Sequence, residues 1–118
     1  MGLFSSKKKE TVSDPGGNSR LMISMTNEGA EYTFLLTGRL DTVTAPDLEK
    51  KVNEVADGAA KLIFDFSALD YISSAGLRVL LGAAQAMEGK GEMVVRNTSQ
   101  SVREVFELTG FSYLFNIE

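Results

Sequence analysis

Apolar and polar residues alternate along the first patterned part of the chain, which begins at Leu21. Leu21, Ile23 and Met25 fall on one face of an extended segment, as is typical of a half-buried strand. A second run of strand-favouring residues spans 32–36, and the glycine-containing residues 27–29 between the runs are typical of a turn. We therefore predict a β-hairpin at the start of the fold.

Helical periodicity follows the hairpin in three segments. The first helix is predicted to begin with Thr44 as its capping residue, just before a proline that the first turn tolerates. The second is predicted over residues 74–87, where leucine, alanine and methionine side chains recur on one face. The third is predicted to begin around residues 99–101, where Ser101 and Glu104 fit a capping box.

Short apolar runs separate these helices and complete the pattern. Residues 61–66 and 93–95 are predicted as buried strands, and residues 111–117 as a terminal apolar element. A hairpin followed by alternating helices and strands indicates an α/β fold. We expect a single domain over residues 21–118, with a mixed β-sheet of four to five strands and helices packed on it.

Residues 1–20 differ from this pattern and are predicted to form a flexible tail. They contain three consecutive lysines at 7–9, a turn-rich stretch at 14–18 and little apolar surface to bury. Gly2 and Ser6 fit the short N-myristoylation pattern, but we interpret this as a chance match in a solvated leader.

Composition excludes several kinds of chemistry. The 118-residue chain has no cysteine, so it has no disulfide or thiolate site, and no histidine to act as the usual general base or metal ligand. Its net charge of -4 disfavours direct nucleic-acid binding, which normally uses a basic face. There is no apolar stretch long enough to span a bilayer and no apolar signal core. We expect a cytoplasmic protein that is not an enzyme, with no cofactor, metal or membrane partner.

The segment most informative about function spans residues 65–81, a buried strand followed by the start of a helix. Ser73 and Ser74 stand at that helix start, where backbone N–H groups lack partners and the dipole is positive. Ala75 and Gly76 are small and leave room for another protein to approach. From the residues by themselves, the better explanation is that the two serines cap the helix, because capping serines are common.

Three stretches in the same order resemble a known family. Residues 72–77, with the sequence ISSAGL, resemble the signature of the STAS family in its branch of bacterial anti-sigma-factor antagonists. Residues 38–45 resemble the family's loop between its second strand and first helix, and residues 104–111 its third helix and exit. The resemblance covers about residues 21–118.

The resemblance implies which residues carry the function. Ser74, two positions before the motif glycine, matches the family's phosphorylated serine. Ser73 stands where many members have aspartate and is a second candidate acceptor. Asp41 matches the family's loop aspartate and is expected near the partner, although a turn or cap role fits it nearly as well. The implied partner-binding residues are Asp41, Thr42, Ser73, Ser74, Ala75 and Gly76.

The mechanism implied by the resemblance is partner switching. The unphosphorylated protein would bind an anti-sigma factor that is also a serine kinase, phosphorylation of Ser74 would release it, and a serine phosphatase would reset the switch. One alternative is an adaptor subunit of a transporter or signalling complex that is not regulated by phosphorylation. Two others are an enzyme with Ser74 as nucleophile, which lacks an evident base, and an anion-binding module.

Overall fold

One β-sheet with three helices makes up the fold. The computed structural model describes residues 7–12, 20–114 and 116–118. The strands are β1 (Lys7–Val12), β2 (Leu21–Glu28), β3 (Glu31–Leu40), β4 (Lys61–Ile72), β5 (Glu92–Arg96) and β6 (Asn116–Ile117). The helices are α1 (Ala45–Val55), α2 (Ser74–Met87) and α3 (Gln100–Thr109).

The strands lie in the sheet in the order of the sequence, from β1 to β6. Strands β1 and β2 pair antiparallel, as do β2 and β3, whereas β3 to β6 pair in parallel. The predicted hairpin is confirmed as β2 and β3, with Glu28 opposite Glu31 and Gly29 at a φ of 60° in the turn. The predicted mixed sheet is thereby confirmed, and five of its strands, β2 to β6, lie in the expected domain.

All three helices pack against the same face of the sheet. Alternate residues of β3 and β4, among them Phe34, Phe64 and Phe66, share one buried cluster with residues of each helix. Phe34 stacks on Phe64 with ring centroids 5.2 Å apart, and Phe66 stacks on Phe106 of α3 at 6.2 Å. The amphipathic stripes read from the sequence therefore bury themselves in one core.

The predicted bounds are right for α2 and wrong in detail elsewhere. Strand β4 continues six residues past the predicted end at residue 66, because Leu69 and Ile72 stay buried beside β3 through two shifts of register. The cap of α3 is Ser99, whose hydroxyl accepts from the Val102 N–H, and not Ser101. Helix α2 runs over the predicted residues 74–87.

Part of the predicted tail has regular structure. Residues 7–12 form strand β1, which pairs with β2 from Lys7 opposite Glu28 to Val12 opposite Ile23. Without β1, the edge of β2 that faces away from β3 would present a row of unpaired backbone N–H and C=O groups. Residues 1–6 and 13–19 lie outside the described residues, so the flexible tail over residues 1–20 stays a prediction.

Candidate functional site

The site forms where the parallel strands β3 and β4 end at the same edge of the sheet. Strand β3 leads into the loop that begins at Asp41, and β4 leads through Ser73 into α2. The Ser73 N–H donates to the Leu40 carbonyl oxygen at 2.9 Å, which joins the two segments directly. Carboxyl ends of neighbouring parallel strands are common positions for functional loops in α/β sheets.

The two adjacent serines have different environments. Ser73 is the N-cap of α2, and its Oγ accepts a hydrogen bond from the Gly76 N–H at 3.4 Å. Ser74 is the first helical residue and is exposed. Its hydroxyl has no hydrogen-bond partner within the described part of the chain. The capping explanation therefore applies to Ser73, and the accessible hydroxyl is that of Ser74.

Gly76 faces inward, which corrects the prediction that it keeps the outer surface of the helix bare. The residue is buried, and a Cβ built on it would lie 2.8 Å from Leu40 Cγ and 2.9 Å from Ile72 Cγ1. Such distances are well inside van der Waals contact. The glycine thus lets the first turn of α2 approach the ends of β3 and β4. Of the two small residues, only Ala75 adjoins the outer surface.

Asp41 is buried and organises the loop that follows β3. Its Oδ1 accepts hydrogen bonds from the Val43 N–H at 3.0 Å and from the Thr44 N–H at 3.1 Å. Its own N–H donates to Thr44 Oγ1 at 2.8 Å. Only 7% of the residue is exposed, so a partner would reach the loop through the exposed Thr42 and Val43 more readily than through the carboxylate.

Thr44 stands at the N-cap position of α1 but does not cap it with its side chain, contrary to the prediction. Its hydroxyl donates to the Arg39 carbonyl oxygen at 2.8 Å while accepting from the Asp41 N–H. The side chain thus forms hydrogen bonds with backbone groups of the loop and not with the N–H groups at the start of α1.

Two guanidinium groups balance the buried carboxylate. Arg20 Nη2 lies 3.2 Å and Arg39 Nε 3.8 Å from Asp41 Oδ2. Burial is the largest influence on the Asp41 pKa and raises it. The Thr44 N–H, the Arg20 charge, the Val43 N–H and the Thr44 hydroxyl together outweigh burial, so the pKa lies below its ordinary value.

Arg39 extends this ion pair to β4, the strand that leads to the serines. Its guanidinium carbon lies 4.2 Å from the centre of the Tyr71 ring, a cation–π contact between neighbouring strands. Gly38 has a φ of 112°, and a Cβ on it would clash with the carbonyl oxygen of Arg20 on the neighbouring chain segment. Because glycine has no Cβ, the Arg39 N–H can donate to that oxygen at 2.7 Å. The loop and the start of α2 are therefore held by side chains as well as by backbone.

A shallow groove of about 180 Å³ runs between α1 and α2 beside the serines. Ala45, Pro46, Ala75 and Val79 form its apolar lining, and it also contacts Thr42. Glu49 from α1 and Arg78 from α2 give the groove one charge of each sign. The arrangement provides a small contact surface that includes Ala75, the residue after Ser74.

The family model described as STAS domain matches residues 23–118. The chain belongs to the STAS domain family. This family relationship confirms the resemblance found in the sequence, and the family model covers the sheet from within β2 onward together with every residue of the site except Arg20. Within the described part of the chain, this STAS domain has no helix both long and apolar enough to cross a bilayer.

Several named relatives of this STAS domain are anti-sigma factor antagonists. The chain is 42% identical over 84 residues to "Putative anti-sigma factor antagonist BtrV" of Bordetella bronchiseptica, covering 70% of this chain and 72% of the relative. It is 30% identical over 88 residues to an anti-sigma-B factor antagonist of Listeria monocytogenes, covering 72% and 76%. The crystal structure of an anti-sigma factor antagonist from Mycobacterium paratuberculosis superposes with a TM-score of 0.76 at 25% identity, covering 90% and 89%.

Sequence reasoning missed the residues that support the site. Arg20, Arg39 and Tyr71 were not singled out, although Arg20 directly precedes β2 and Arg39 stands near the end of β3, two residues before Asp41. A lone aspartate with two arginines separated along the chain carries no distinctive spacing, since their meeting depends on strand pairing. Of the predicted partner-binding set, Thr42, Ser74 and Ala75 adjoin the surface, whereas Asp41 and Gly76 are buried.

Proposed function

We propose that this STAS domain is an anti-sigma-factor antagonist that acts in the cytoplasm by partner switching and is not itself an enzyme. Unphosphorylated, it binds an anti-sigma factor with serine kinase activity, and phosphorylation of Ser74 releases it. The observation that carries the proposal is the exposed Ser74 hydroxyl, which is without a partner in the described part of the chain at the start of α2. The named antagonists among its relatives support the same role.

The proposed chemical step is phosphoryl transfer from ATP to Ser74 Oγ. The bond between the β–γ bridging oxygen and the γ-phosphorus breaks, a bond from Oγ to that phosphorus forms, and ADP leaves. The hydroxyl proton goes to a base on the kinase, which also supplies the nucleotide site and magnesium. The role of this chain is to present the acceptor, and a serine phosphatase hydrolyses the phosphate ester to reset the switch.

Charge explains why the modified protein is released. A phosphoserine carries roughly -1.5 to -2 charge near neutral pH. A partner surface that closes over Ser74 would have to desolvate this charge, which is expensive unless the partner offers cations. The surface around the serine consists of Ala75, the exposed Thr42 and Val43 of the loop, and the groove between α1 and α2.

Asp41 acts in this proposal as a positioning residue. Its carboxylate holds Val43 and Thr44 by their N–H groups, and it is too deeply buried to form the main contact itself. The exposed loop residues would make the contact, and the buried ion pair would fix their geometry in advance.

Mass spectrometry after a kinase reaction tests the acceptor. The full chain is incubated with ATP and its cognate anti-sigma kinase, alongside the variants Ser74→Ala and Ser73→Ala. We expect one phosphate on the wild type and on Ser73→Ala, located at Ser74, and none on Ser74→Ala. An active kinase that leaves Ser74 unmodified, or that modifies Ser73 instead, contradicts the assignment.

Binding measurements test the switch. Ser74→Asp is expected to weaken binding to the kinase, whereas Ser74→Ala leaves it near the wild-type affinity, because only aspartate adds charge at the exposed hydroxyl position. Calorimetric titration of each variant at two salt concentrations measures both the affinity and its electrostatic part. Equal affinities for the two variants would rule out release by charge.

A further inference from the structure

Arg78 is the only cationic side chain on helix α2 and stands one turn after Ser74. It is exposed, and it makes no ion pair or hydrogen bond through its side chain with any residue that the structure describes. Residues four apart are neighbours on a helix surface, with Cβ atoms roughly 5–6 Å apart. An arginine at this spacing can reach an anion attached to the Ser74 hydroxyl.

The direction of the side chain favours the same contact. Helical side chains lean towards the N-terminus of their helix, so that of Arg78 extends over the preceding turn. Its contacts agree with this, since Arg78 lines the groove together with Ala75 of the first turn and Thr42 of the neighbouring loop. The groove contacts and the usual lean of helical side chains together favour a guanidinium directed towards the first turn of α2, which contains Ser74.

The groove contains a weaker competitor for this cation. Glu49 of α1 lines the groove opposite Arg78, but the two side chains do not form an ion pair within 4.0 Å. A phosphate ester carries more charge than a carboxylate, and like a carboxylate it accepts two parallel hydrogen bonds from a guanidinium. Once Ser74 is modified, the phosphate is thus the stronger partner.

We propose that Arg78 is the intramolecular counter-ion of phosphorylated Ser74, and that phosphorylation draws it out of the groove that it shares with Glu49. This inference rests on the proposed function, because it concerns the phosphorylated state of that site. Its consequence is that one modification changes two neighbouring surfaces. The serine gains a partly neutralised phosphate, and the groove keeps the negative charge of Glu49 without the adjacent cation.

The test uses the full chain with phosphoserine incorporated directly at position 74 by genetic-code expansion. The titration of the phosphate is followed by its ³¹P chemical shift in the otherwise wild-type protein, in Arg78→Gln and in Arg103→Gln. Arg103 is an exposed arginine on α3, so its variant makes the same change in net charge on another helix. Far-UV circular dichroism checks that all three proteins are folded.

We expect the Arg78→Gln midpoint to lie higher by about 0.3 pH units, the size of an i,i+4 charge pair, while Arg103→Gln stays near the wild type. The Arg78 Nε–H signal in ¹H–¹⁵N spectra should also move when residue 74 is phosphoserine. Equal midpoints in wild type and Arg78→Gln, equal shifts in both variants, or an unmoved Arg78 signal would each overturn the inference. Because no kinase is used, failure here is distinct from a failure of the kinase to modify Ser74.

Discussion

Gly76 offers a sharp test of how α2 is seated on the sheet. In Gly76→Ala, the new methyl group would lie 2.8 Å from Leu40 Cγ and 2.9 Å from Ile72 Cγ1. Both neighbours are themselves buried, with 0% and 3% of their surface exposed, so they have little room to move. Overpacking of this kind destabilises a core by about 1–3 kcal/mol.

Gly82 in the same helix provides the matched control. It is exposed, and a Cβ added there meets nothing within 4 Å. Gly82→Ala should therefore stabilise the protein by up to about 1 kcal/mol through helix propensity and a less flexible unfolded chain. The unfolded-state effect is common to both substitutions, so the difference between them isolates the clash at Gly76.

Urea denaturation followed by far-UV circular dichroism measures the free energy of unfolding of both variants. We expect Gly76→Ala to be less stable than Gly82→Ala by about 1–3 kcal/mol, the cost of the clash, because the gain from replacing glycine by alanine is common to both variants. The kinase should also modify Ser74 more slowly in Gly76→Ala, because the helix start must move outwards. Equal midpoints and slopes for the two variants would refute this account of the glycine.

Further predictions concern the side chains around the site. Asp41→Asn should lower the free energy of unfolding, because an amide replaces the anion facing Arg20. The folded-state pKa of Asp41 is lowered, so its contribution to stability is fully present above the ordinary pKa of 3.8 and is lost as the pH falls further. The difference in unfolding free energy between Asp41→Asn and the wild type, measured by urea denaturation at several pH values, should therefore shrink in acid. Ser73→Ala should destabilise by about 1 kcal/mol through loss of the α2 cap, and Ser74→Ala by less than about 0.5 kcal/mol, as thermal unfolding will measure. Lys90→Met should cost about 1 kcal/mol in the same assay, because Nζ donates to the Ala56 carbonyl oxygen at 2.7 Å. These assignments would be contradicted if Ser74→Ala were as destabilised as Ser73→Ala. They would also be contradicted if the difference in unfolding free energy between Asp41→Asn and the wild type stayed constant down to pH 3, roughly one unit below the ordinary pKa of the carboxyl group.

The fold was accessible from the sequence where a local signal agreed with tertiary packing. Helix α2 has an uninterrupted apolar stripe and serines at its start, and its observed bounds are the predicted ones. Strand β4 was underestimated because Ser67 and Asp70 interrupt its apolar run, while pairing with β3 keeps the chain extended as far as Ile72. Strand pairing here outweighs local polarity.

The sequence motif singles out Ser74 as the proposed acceptor, which stays a prediction, but no sequence signal indicates the residues that support the site. The motif points to Ser74, but the distinction between capping and accessible serine depends on backbone geometry, with Ser73 extended at a ψ of 176°. The sequence predicts Thr44 as a helix cap, but its hydroxyl forms hydrogen bonds with backbone groups of Arg39 and Asp41 in the loop. The Arg20–Asp41 ion pair joins residues 21 positions apart through the β2–β3 hairpin, and no local pattern encodes such a contact.

The hydrogen bond from the Ser73 N–H to the Leu40 carbonyl oxygen gives the site its own reporter. This amide exchanges with solvent deuterium only when the start of α2 lifts away from β3 or the whole domain unfolds. If local lifting is the easier event, its exchange will be faster than that of the central β4 amides and insensitive to denaturant. The exchange rate of a single proton thus measures how often the start of α2 opens, independently of any partner or kinase.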